Sequence, residues 1–322
     1  MKTIYLNQHA GICPNSVATI GVFDGVHLGH QLVIRKVLET AKQKGLVSVV
    51  VTFDRLPRQL FAPTFHPQIL TTLEEKEAII AALGVDYLVV LPFTRELAGL
   101  SAREFMSQML AERLSVRVLY TGYDNRFGRR MKVLLPHGEE REEVFDDYVG
   151  YGKLLGMEVL RGDVELMDGG SLAVSSSVIR DMLIHEGRVD LMPHYLTRRY
   201  ELQGKVVPGE HIGHQLGYPT ANLELANADK LIPAPGVYAV WVMFEGGRKP
   251  CAAMMNIGCR PTFDGHRQTI EVNILDFNGD LYGQTLKVAF VKRLREERKF
   301  KSLEALAAQL QEDKEQVISL LK

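Results

Sequence analysis

The sequence predicts an α/β protein of two domains, in which a parallel-sheet domain is followed by an antiparallel β-barrel domain with a C-terminal helix. A chain of 322 residues exceeds the usual size of a single hydrophobic core. In the first half, short apolar runs alternate with helical patterns, whereas in the second half short strands follow one another without helices between them. The pattern changes near Arg188, which gives predicted domains of 1–187 and 188–322.

The composition excludes several kinds of partner. Lys and Arg total 38 against 39 Asp and Glu, and the formal charge of -1 argues against a long nucleic acid or an anionic membrane as the main partner. The three cysteines (Cys13, Cys251 and Cys259) fit a reducing compartment, the apolar runs are too short to cross a bilayer, and the start at Met1 lacks a signal-peptide apolar region. We therefore expect a cytoplasmic protein with small-molecule partners. The sequence leaves its oligomeric state open.

Five strands and four helices alternate in the first domain. Continuously apolar strands with helical crossovers predict a parallel sheet that is covered on both faces. Ligands of such sheets bind beyond the carboxyl ends of the strands, so the residues after each strand are candidates for function. The predicted strands are 17–21, 47–53, 87–91, 116–122 and 157–161, and the predicted helices are 31–44, 72–83, 102–114 and 148–155.

The segment 21–30, GVFDGVHLGH, joins the first strand to the first helix. A helix N-terminus carries a partial positive charge, and glycines allow close approach of the backbone, so the segment suits a bound anion. His27 and His30 add side-chain hydrogen-bond donors at the same place. It resembles the GxFDGxHxGH signature of the nucleotidyltransferase superfamily, whose histidines hold ATP phosphates. The resemblance implies a Rossmann-like fold and catalytic roles for both histidines. It also implies phosphate or ATP contacts at Gly21, Phe23, Asp24, Gly25 and Gly29.

A second candidate phosphate site begins at Ser175. Ser175, Ser176 and Ser177 are good helix N-cap residues, and their hydroxyls and the Arg180 guanidinium suit a polyphosphate. The segment resembles the SSTxIR signature of the same superfamily, with Ser177 in place of the usual threonine. The resemblance implies that the serines bind phosphate and that Arg180 is catalytic.

The second domain shows the pattern of an antiparallel sheet or small barrel, and 302–322 reads as an amphipathic helix packed on it. Within the segment 213–222, GHQLGYPTAN, glycines let the backbone close over phosphates, and Thr220 and Asn222 offer hard oxygen ligands to Mg²⁺. Its predicted strands are 200–207, 236–244, 251–257, 269–274 and 285–291.

Together with 235–238, 256–263, 270–272 and 281–283, the segment 213–222 resembles the riboflavin kinase barrel. The resemblance implies that Glu271 is the base that acts on the ribityl hydroxyl. It implies that Thr220 and Asn222 bind Mg²⁺, and that Arg295, in a segment similar to the family's R-E-x-x-F, binds flavin. The ATP contacts that it implies are Gly213, Gly217 and Pro219.

The two halves together resemble the bifunctional riboflavin kinases and FMN adenylyltransferases. The resemblance implies that the second domain converts riboflavin and ATP into FMN, and that the first converts FMN and ATP into FAD and pyrophosphate, with Mg²⁺ as cofactor. The loop 121–130 is rich in glycine, aromatic and charged residues, which suits a ring and phosphates, although a plain surface loop is the alternative. Its implied flavin contacts are Asp124, Arg126 and Phe127.

Three positions depart from the family pattern. His214 replaces a usual arginine, Asn125 stands where the family has an aromatic residue, and 54–57, DRLP, replaces a Pro-His-Pro-like segment. Two alternatives stay open. One is a riboflavin kinase whose first domain is impaired or transfers AMP to another acceptor, such as pantetheine or nicotinate nucleotides, and the other is a non-catalytic flavin-sensing protein.

Overall fold

The computed structural model divides the chain into two compact units, residues 1–175 and 176–322. A parallel-sheet unit is followed by a closed barrel, which confirms the predicted fold class. The predicted domain limits, 1–187 and 188–322, stay a prediction. Among the described helices, none is long and apolar enough to cross a membrane. The structure describes residues 1–6, 14–62, 64–122, 128–129, 132–134, 140–162, 166–167, 172–209, 218–247, 249–262 and 265–321.

The strands of the first unit are β1 (Lys2–Tyr5), β2 (Ser16–Ile20), β3 (Val47–Phe53), β4 (Tyr87–Leu91), β5 (Val116–Thr121), β6 (Lys132–Leu134), β7 (Glu140–Glu142), β8 (Glu158–Arg161), β9 (Leu166–Met167) and β10 (Leu172–Ala173). Six of them form a parallel sheet in the order β1-β4-β3-β2-β5-β8, and β6-β7 and β9-β10 are two-stranded ribbons. The order reverses at β2, because β3 and β5 lie on opposite sides of it. Ligands of parallel sheets bind at such a switch point, so the segment after β2 occupies the position expected of a binding site.

The helices of the first unit are α1 (Leu28–Lys44), α2 (Pro57–Phe61), α3 (Leu73–Ala82), α4 (Arg95–Gly99), α5 (Ala102–Phe105) and α6 (Phe145–Leu154). On one face of the sheet, Ile34 of α1 and Ile80 of α3 share a core cluster with Val50. On the other face, Phe105 of α5 and Tyr148 of α6 belong to a separate cluster. The prediction of a sheet covered on both faces is therefore confirmed.

The five strands and four helices predicted for this unit are present, with ends that shift by a few residues. The predicted helix 102–114 forms α5 and continues over Met106–Ala111 as a π-helical segment. The prediction missed β1, a four-residue strand that pairs with β4 at the edge of the sheet, and it also missed the short elements β6, β7, β9, β10, α2 and α4. A short edge strand lacks the continuous apolar run that identifies a central strand.

The second unit contains α7 (Ser176–Asp181), α8 (Met192–Leu196), α9 (Leu303–Leu321) and the strands β11 (Glu201–Val207), β12 (Ala221–Leu225), β13 (Gly236–Phe244), β14 (Cys251–Thr262), β15 (Gly265–Ile274) and β16 (Thr285–Arg295). These strands close a barrel in the order β11-β12-β15-β14-β13-β16, with antiparallel pairs. Val317 of α9 is buried in a cluster with Ala239 and Met254 of the barrel. The barrel and its packed C-terminal helix confirm the prediction, which missed only β12 among these strands.

Candidate active sites

The segment between β2 and α1 turns through left-handed backbone. The angle φ is 50° at Phe23, 80° at Gly25 and 40° at Val26. A positive φ is strained for a β-branched residue such as Val26, and such strain persists where the surroundings determine the backbone. Val26 is fully buried in the cluster that joins the sheet to α1 and α3. The turn therefore presents the start of α1 in one fixed conformation.

Asp24 holds this turn from inside the fold. Its Oδ1 accepts the N–H groups of Leu70 at 2.9 Å and Thr71 at 3.1 Å, and the Gly25 N–H donates to Thr71 Oγ1 at 2.9 Å. The residue is 4 % exposed. Asp24 thus links the turn to the segment that leads into α3. Its predicted contact with phosphate stays a prediction.

His27 and His30 lie together at the start of α1, as predicted. Their rings stack with centroids 3.6 Å apart, and Phe23 packs edge-on against His30 at 5.1 Å. His27 is the N-cap residue, and its Nδ1 accepts the N–H of His30 at 3.4 Å. The proton of the neutral His27 ring is therefore on Nε2, where it can be donated. Gly29 lies beside the His27 ring.

Both histidines are neutral at pH 7. Burial lowers the pKa of His27 to about 4, against the opposing effect of the Asp24 charge. Burial also holds the pKa of His30 well below its ordinary value, and His27 and Lys76 lower it further. His30 Nδ1 is buried and, among the described residues, has no hydrogen-bond partner. Because a buried polar atom without a partner is costly, this nitrogen beside a helix N-terminus indicates a place for a bound polar group.

An apolar cavity of about 420 Å³ includes Gly21 and Val22 of the same turn. Phe53 and Phe93 line it and pack edge to face, with centroids 5.3 Å apart. A cavity of this size with aromatic walls suits a flat ring system. The cavity was not predicted from the sequence, although both phenylalanines lie at the carboxyl ends of neighbouring strands. The other residues that line it are Ile20, Pro57, Phe61, Leu97, Ala98, Phe105, Gly128 and Arg129.

Two contacts shape the walls of this cavity. Asp54 Oδ1 accepts the Phe93 N–H at 2.8 Å, which joins the loops after β3 and β4, and Asp54 also pairs with Arg55 at 3.0 Å. Gly128 has φ of 80°, and an added Cβ there would lie 2.4 Å from the Ala102 nitrogen. Only glycine fits at that position. Asp54, in the segment that departs from the family pattern, therefore orders the wall of the cavity.

The predicted serines lie where the two units meet in the chain. Ser175 is the last residue of the first unit, and α7 begins at Ser176 and carries Ser177 and Arg180. The helical path continues over Met182–Glu186 as a π-helical segment. The helix at the serines is as predicted. The convergence of these residues with the histidines on one phosphate group stays a prediction.

In the barrel, Glu271 lies opposite two asparagines. On β15 it is the register partner of Asn222 on β12 and of Asn256 on β14. Side chains directly opposite each other in antiparallel strands have Cβ atoms about 5 Å apart. Glu271, Asn256 and Thr220 line one cavity of about 320 Å³. The structure therefore brings together the predicted base and the predicted magnesium ligands.

Asn273 holds the segment that carries Thr220. Its Nδ2 donates to the Pro219 carbonyl at 2.7 Å, and the residue is 8 % exposed. Asn273 follows Glu271 by two positions in β15, so the two side chains share one face of the strand. Asn273 was not predicted as a site residue, because a single asparagine in a strand carries no motif of its own.

Arg295, predicted to bind flavin, is held by α9. Its Nε and Nη2 contact the Asp313 carboxylate at 2.8 to 3.1 Å, and Gln309 donates to the same carboxylate at 2.9 Å. The Asp313 side chain is fully buried. Arg295 also lines the barrel cavity near Phe300. The flavin contact stays a prediction, and the ion pair to α9 is an additional role.

The predicted magnesium site does not depend on a cluster of acidic side chains. Among the residues that the structure describes, no group of three or more His, Cys, Asp or Glu side chains is arranged to hold a metal ion. A magnesium site of the predicted kind would use the hydroxyl and amide oxygens of Thr220 and Asn222 instead.

The predicted residues that lie outside the described ranges are Asp124, Asn125, Arg126, Phe127, Gly213, His214 and Gly217.

Comparisons with known proteins match both units. The sequence model of the FAD synthetase family matches residues 11–149, and that of the riboflavin kinase family matches residues 196–321. The bifunctional riboflavin kinase/FMN adenylyltransferase of Escherichia coli (strain K12) is 36% identical over 299 residues, which cover 92% of this chain and 90% of the relative. The protein of the same name from Pseudomonas fluorescens is 39% identical over 298 residues, with the same coverage.

A solved structure also resembles the chain over almost its whole length. It is described as a macrolide-efflux protein from Streptococcus pneumoniae, with 32% identity, a TM-score of 0.84 and coverage of 97% of both chains. The segment that matches the FAD synthetase model contains His27 and His30, and the segment that matches the riboflavin kinase model contains Thr220 and Glu271. The chain therefore belongs to the family of bifunctional riboflavin kinases and FMN adenylyltransferases, with the FAD synthetase domain first and the riboflavin kinase domain second.

Proposed function

We propose that the two units catalyse successive steps of flavin cofactor synthesis. The second unit phosphorylates riboflavin with ATP, which gives FMN and ADP. The first unit then joins the AMP of a second ATP to the phosphate of FMN, which gives FAD and pyrophosphate. The observation that carries the second step is the stacked, neutral pair of His27 and His30 at the start of α1, with a buried ring nitrogen that has no partner among the described residues.

In the kinase site, Glu271 acts as general base. It takes the proton of the riboflavin 5′-hydroxyl as that oxygen bonds to the γ-phosphorus of ATP, while the bond from this phosphorus to ADP breaks. The register of Glu271 opposite Asn222 supports this role, because the carboxylate then lies beside a proposed magnesium ligand. The apolar side of the cavity, which includes Val237, Met254 and Leu306, offers a surface for the flavin ring.

Thr220 and Asn222 fit a magnesium ion. Both supply hard, neutral oxygens, and Asn273 orders the segment that carries Thr220. Mg²⁺ bound with ATP would neutralise charge on the phosphate oxygens during transfer. Gly213, Gly217 and Pro219 are proposed to contact the ATP phosphates, and Arg295 the flavin.

In the adenylyltransferase site, the nucleophile needs no base. The FMN phosphate is already anionic and bonds to the α-phosphorus of ATP, while the bond from this phosphorus to pyrophosphate breaks. His27 and His30 are neutral, so they act as directed hydrogen-bond donors to phosphate oxygens, and the N-terminus of α1 adds partial positive charge. Ser175, Ser176, Ser177 and Arg180 are proposed to complete the phosphate contacts.

The cavity lined by Phe53 and Phe93 is proposed to hold the flavin ring of FMN. It is apolar, has aromatic walls and includes Gly21 and Val22 at the start of the turn that leads to the histidines, so a ring placed there lies close to the proposed phosphate site. A flat aromatic ring gains both area burial and edge-to-face contacts in such a cavity. Asp124, Arg126 and Phe127 are proposed to contribute further flavin contacts.

Phe93→Ala is expected to raise the KM for FMN in FAD formation about tenfold, because the cavity loses the aromatic partner of Phe53 and one wall. Initial rates measured against FMN concentration check this. The KM for riboflavin in the kinase reaction should not change. Leu154→Ala, at a site that is 73% exposed on α6, is the matched control. An unchanged KM for FMN in the Phe93 variant would show that the ring binds elsewhere.

Asn273→Ala is expected to lower the kcat/KM of the kinase reaction about tenfold, because the Pro219 carbonyl loses its buried donor and the segment with Thr220 loosens. Initial rates with riboflavin and Mg-ATP check this. FAD formation from supplied FMN should persist. Gln203→Ala, at an exposed position of β11, is the control. Equal kcat/KM values for the Asn273 variant and the parent chain would remove the positioning role.

One incubation tests the proposed function as a whole. The purified chain is supplied with riboflavin, ATP and Mg²⁺, and the flavins are separated by chromatography. We expect FMN to appear first and FAD to follow. FMN alone would indicate an impaired or non-flavin adenylyltransferase, the alternative raised by the departures at Asn125 and 54–57. The absence of both products would favour a flavin-sensing protein.

The proposed partners are the small molecules riboflavin, FMN and ATP. A formal charge of -1 suits small phosphorylated ligands better than a long nucleic acid. A location in the cytoplasm stays a prediction, and the oligomeric state is open.

A further inference from the structure

A buried lysine lies beneath the turn that carries the two histidines. Lys76 is on α3 and is 6 % exposed. Its Nζ donates to the Val22 carbonyl at 2.7 Å and to Thr52 Oγ1 at 3.2 Å. Val22 directly precedes the left-handed turn, so the ammonium group supports the backbone from which α1 starts.

Within the described ranges, no acid contacts the Lys76 ammonium group. Both of its acceptors are neutral oxygens, and among the described residues no carboxylate forms an ion pair with it. Asp24 acts on Lys76 through its charge, but Asp24 Oδ1 already accepts the N–H groups of Leu70 and Thr71. A buried lysine is rare unless it is paired, because burial of a bare charge is costly. A bound anion would offset that cost.

The histidines of the turn do not supply positive charge themselves. Both are neutral at pH 7, because burial lowers both pKa values, and stacking at 3.6 Å disfavours a charge on both rings at once. The polyphosphate of ATP nevertheless brings several negative charges to the proposed site. The field of a nearby buried cation acts over several ångströms, since the protein interior screens it less than water does.

We propose that Lys76 is the buried cation of the adenylyltransferase site, which fixes the Val22 carbonyl and supplies positive charge from beneath the turn that carries the two histidines. This inference rests on the proposed function. Lys76 does not touch the reacting atoms in this account; it is a positioning and electrostatic residue that acts through the turn.

The charge of Lys76 depends on pH near neutrality. Among the described residues, the titratable groups that face Lys76 are Asp24 from the turn and His30 from α1, while β3 contributes the neutral Thr52. Burial lowers the pKa of Lys76 to about 8, and the Asp24 charge opposes this shift. Lys76 is therefore mostly charged at pH 7 and loses its charge above pH 8. Bound polyphosphate favours the charged form, so ATP should bind more weakly at the first unit as the pH rises past 8.

Two substitutions in the full chain separate charge from packing. In the parent chain, the KM for ATP in FAD formation from FMN should rise about tenfold between neutral pH and about pH 9.5, which corresponds to a one-unit difference in pKa between the free and bound states. Lys76→Met should show the higher KM already at neutral pH and little change with pH. Lys76→Arg keeps a charge that does not titrate in this range, so its KM should stay low throughout. Lys36→Met, at an exposed position of α1, is the control, and the KM for ATP of the kinase reaction should not respond to any of these changes.

The results distinguish a failure of the proposed function from a failure of the role of Lys76. A parent chain that makes no FAD from FMN would overturn the proposed function. A parent chain that makes FAD, with a Lys76→Met variant that keeps the parental KM and pH profile, would overturn only the role of Lys76. Equal losses in the Met and Arg variants would also overturn it, because packing would then explain the effect. A KM for FMN in FAD formation near the parental value shows that the first unit of the Met variant is folded. If that unit is not folded, a rise in the KM for ATP with pH in Lys76→Arg as steep as in the parent chain overturns the proposal.

Discussion

His30→Ala is expected to lower the turnover of FAD formation from FMN by about a hundredfold or more, the usual cost of losing one directed donor to a developing phosphate charge. The ring lies at the start of α1, stacked on His27, and its Nδ1 is buried without a partner among the described residues. Alanine removes the donor and the stacking partner together. Initial rates with supplied FMN, ATP and Mg²⁺ measure the effect.

Two controls accompany this variant. The kinase reaction depends on the second unit, so conversion of riboflavin to FMN by His30→Ala should match that of the parent chain. His66→Ala changes an exposed histidine of the same unit and should leave both reactions unchanged. If His30→Ala forms FAD at the parental rate, the assignment of the phosphate site to the turn after β2 is wrong.

Glu271→Gln is expected to lower the conversion of riboflavin to FMN by about a hundredfold to ten-thousandfold, the range typical of a lost general base. Glutamine keeps the size of the side chain and its place opposite Asn222 but cannot accept the proton of the 5′-hydroxyl. The effect should appear in kcat more than in the KM for riboflavin. Single-turnover measurements with riboflavin and Mg-ATP give the chemical rate directly.

The matched control for this change is Glu224→Gln, at an exposed position of β12. It makes the same chemical substitution outside the cavity and should have no effect on the kinase. The Glu271 variant should still convert supplied FMN into FAD. A near-parental rate of FMN formation by Glu271→Gln would rule out its role as base.

The architecture could be predicted because its signals are local. The central strands β2, β3 and β4 are continuous apolar runs, and the start of α1 is marked by glycines and two histidines. β1 and β12 escaped prediction for different reasons. β1 is a short edge strand. β12 directly follows a segment whose glycines and proline predict a ligand-binding turn rather than the start of a strand. Both are held by pairing with distant strands rather than by their own sequence.

The candidate sites were predictable only in part, because several of their contacts join distant residues. Lys76 and Val22 are 54 residues apart, as are Asn273 and Pro219. A lysine in a helix normally reads as a solvated surface residue, and nothing around Lys76 in the sequence shows that its ammonium group is buried. These contacts depend on how helices and strands pack, so motifs alone do not reveal them.

Arg295 also has a contact that its sequence motif did not predict. A motif resemblance predicted a flavin contact, and the structure adds an ion pair with Asp313 of α9, 18 residues away. A buried acid that pairs with a cavity arginine carries no signal in the helical pattern of 302–322. The cavity with Phe53 and Phe93 also depended on the fold, although the rule that ligands bind at the carboxyl ends of parallel strands had indicated both residues.

The central claim is that two separate sites on one chain act in sequence, with FMN as the product of one and the substrate of the other. Mixing the His30→Ala and Glu271→Gln chains tests it most directly. With riboflavin, ATP and Mg²⁺, the first chain alone should stop at FMN, and the second alone should leave riboflavin nearly unchanged. The mixture should form FAD, because FMN released by one chain is adenylylated by the other. A mixture that stops at FMN would contradict the claim.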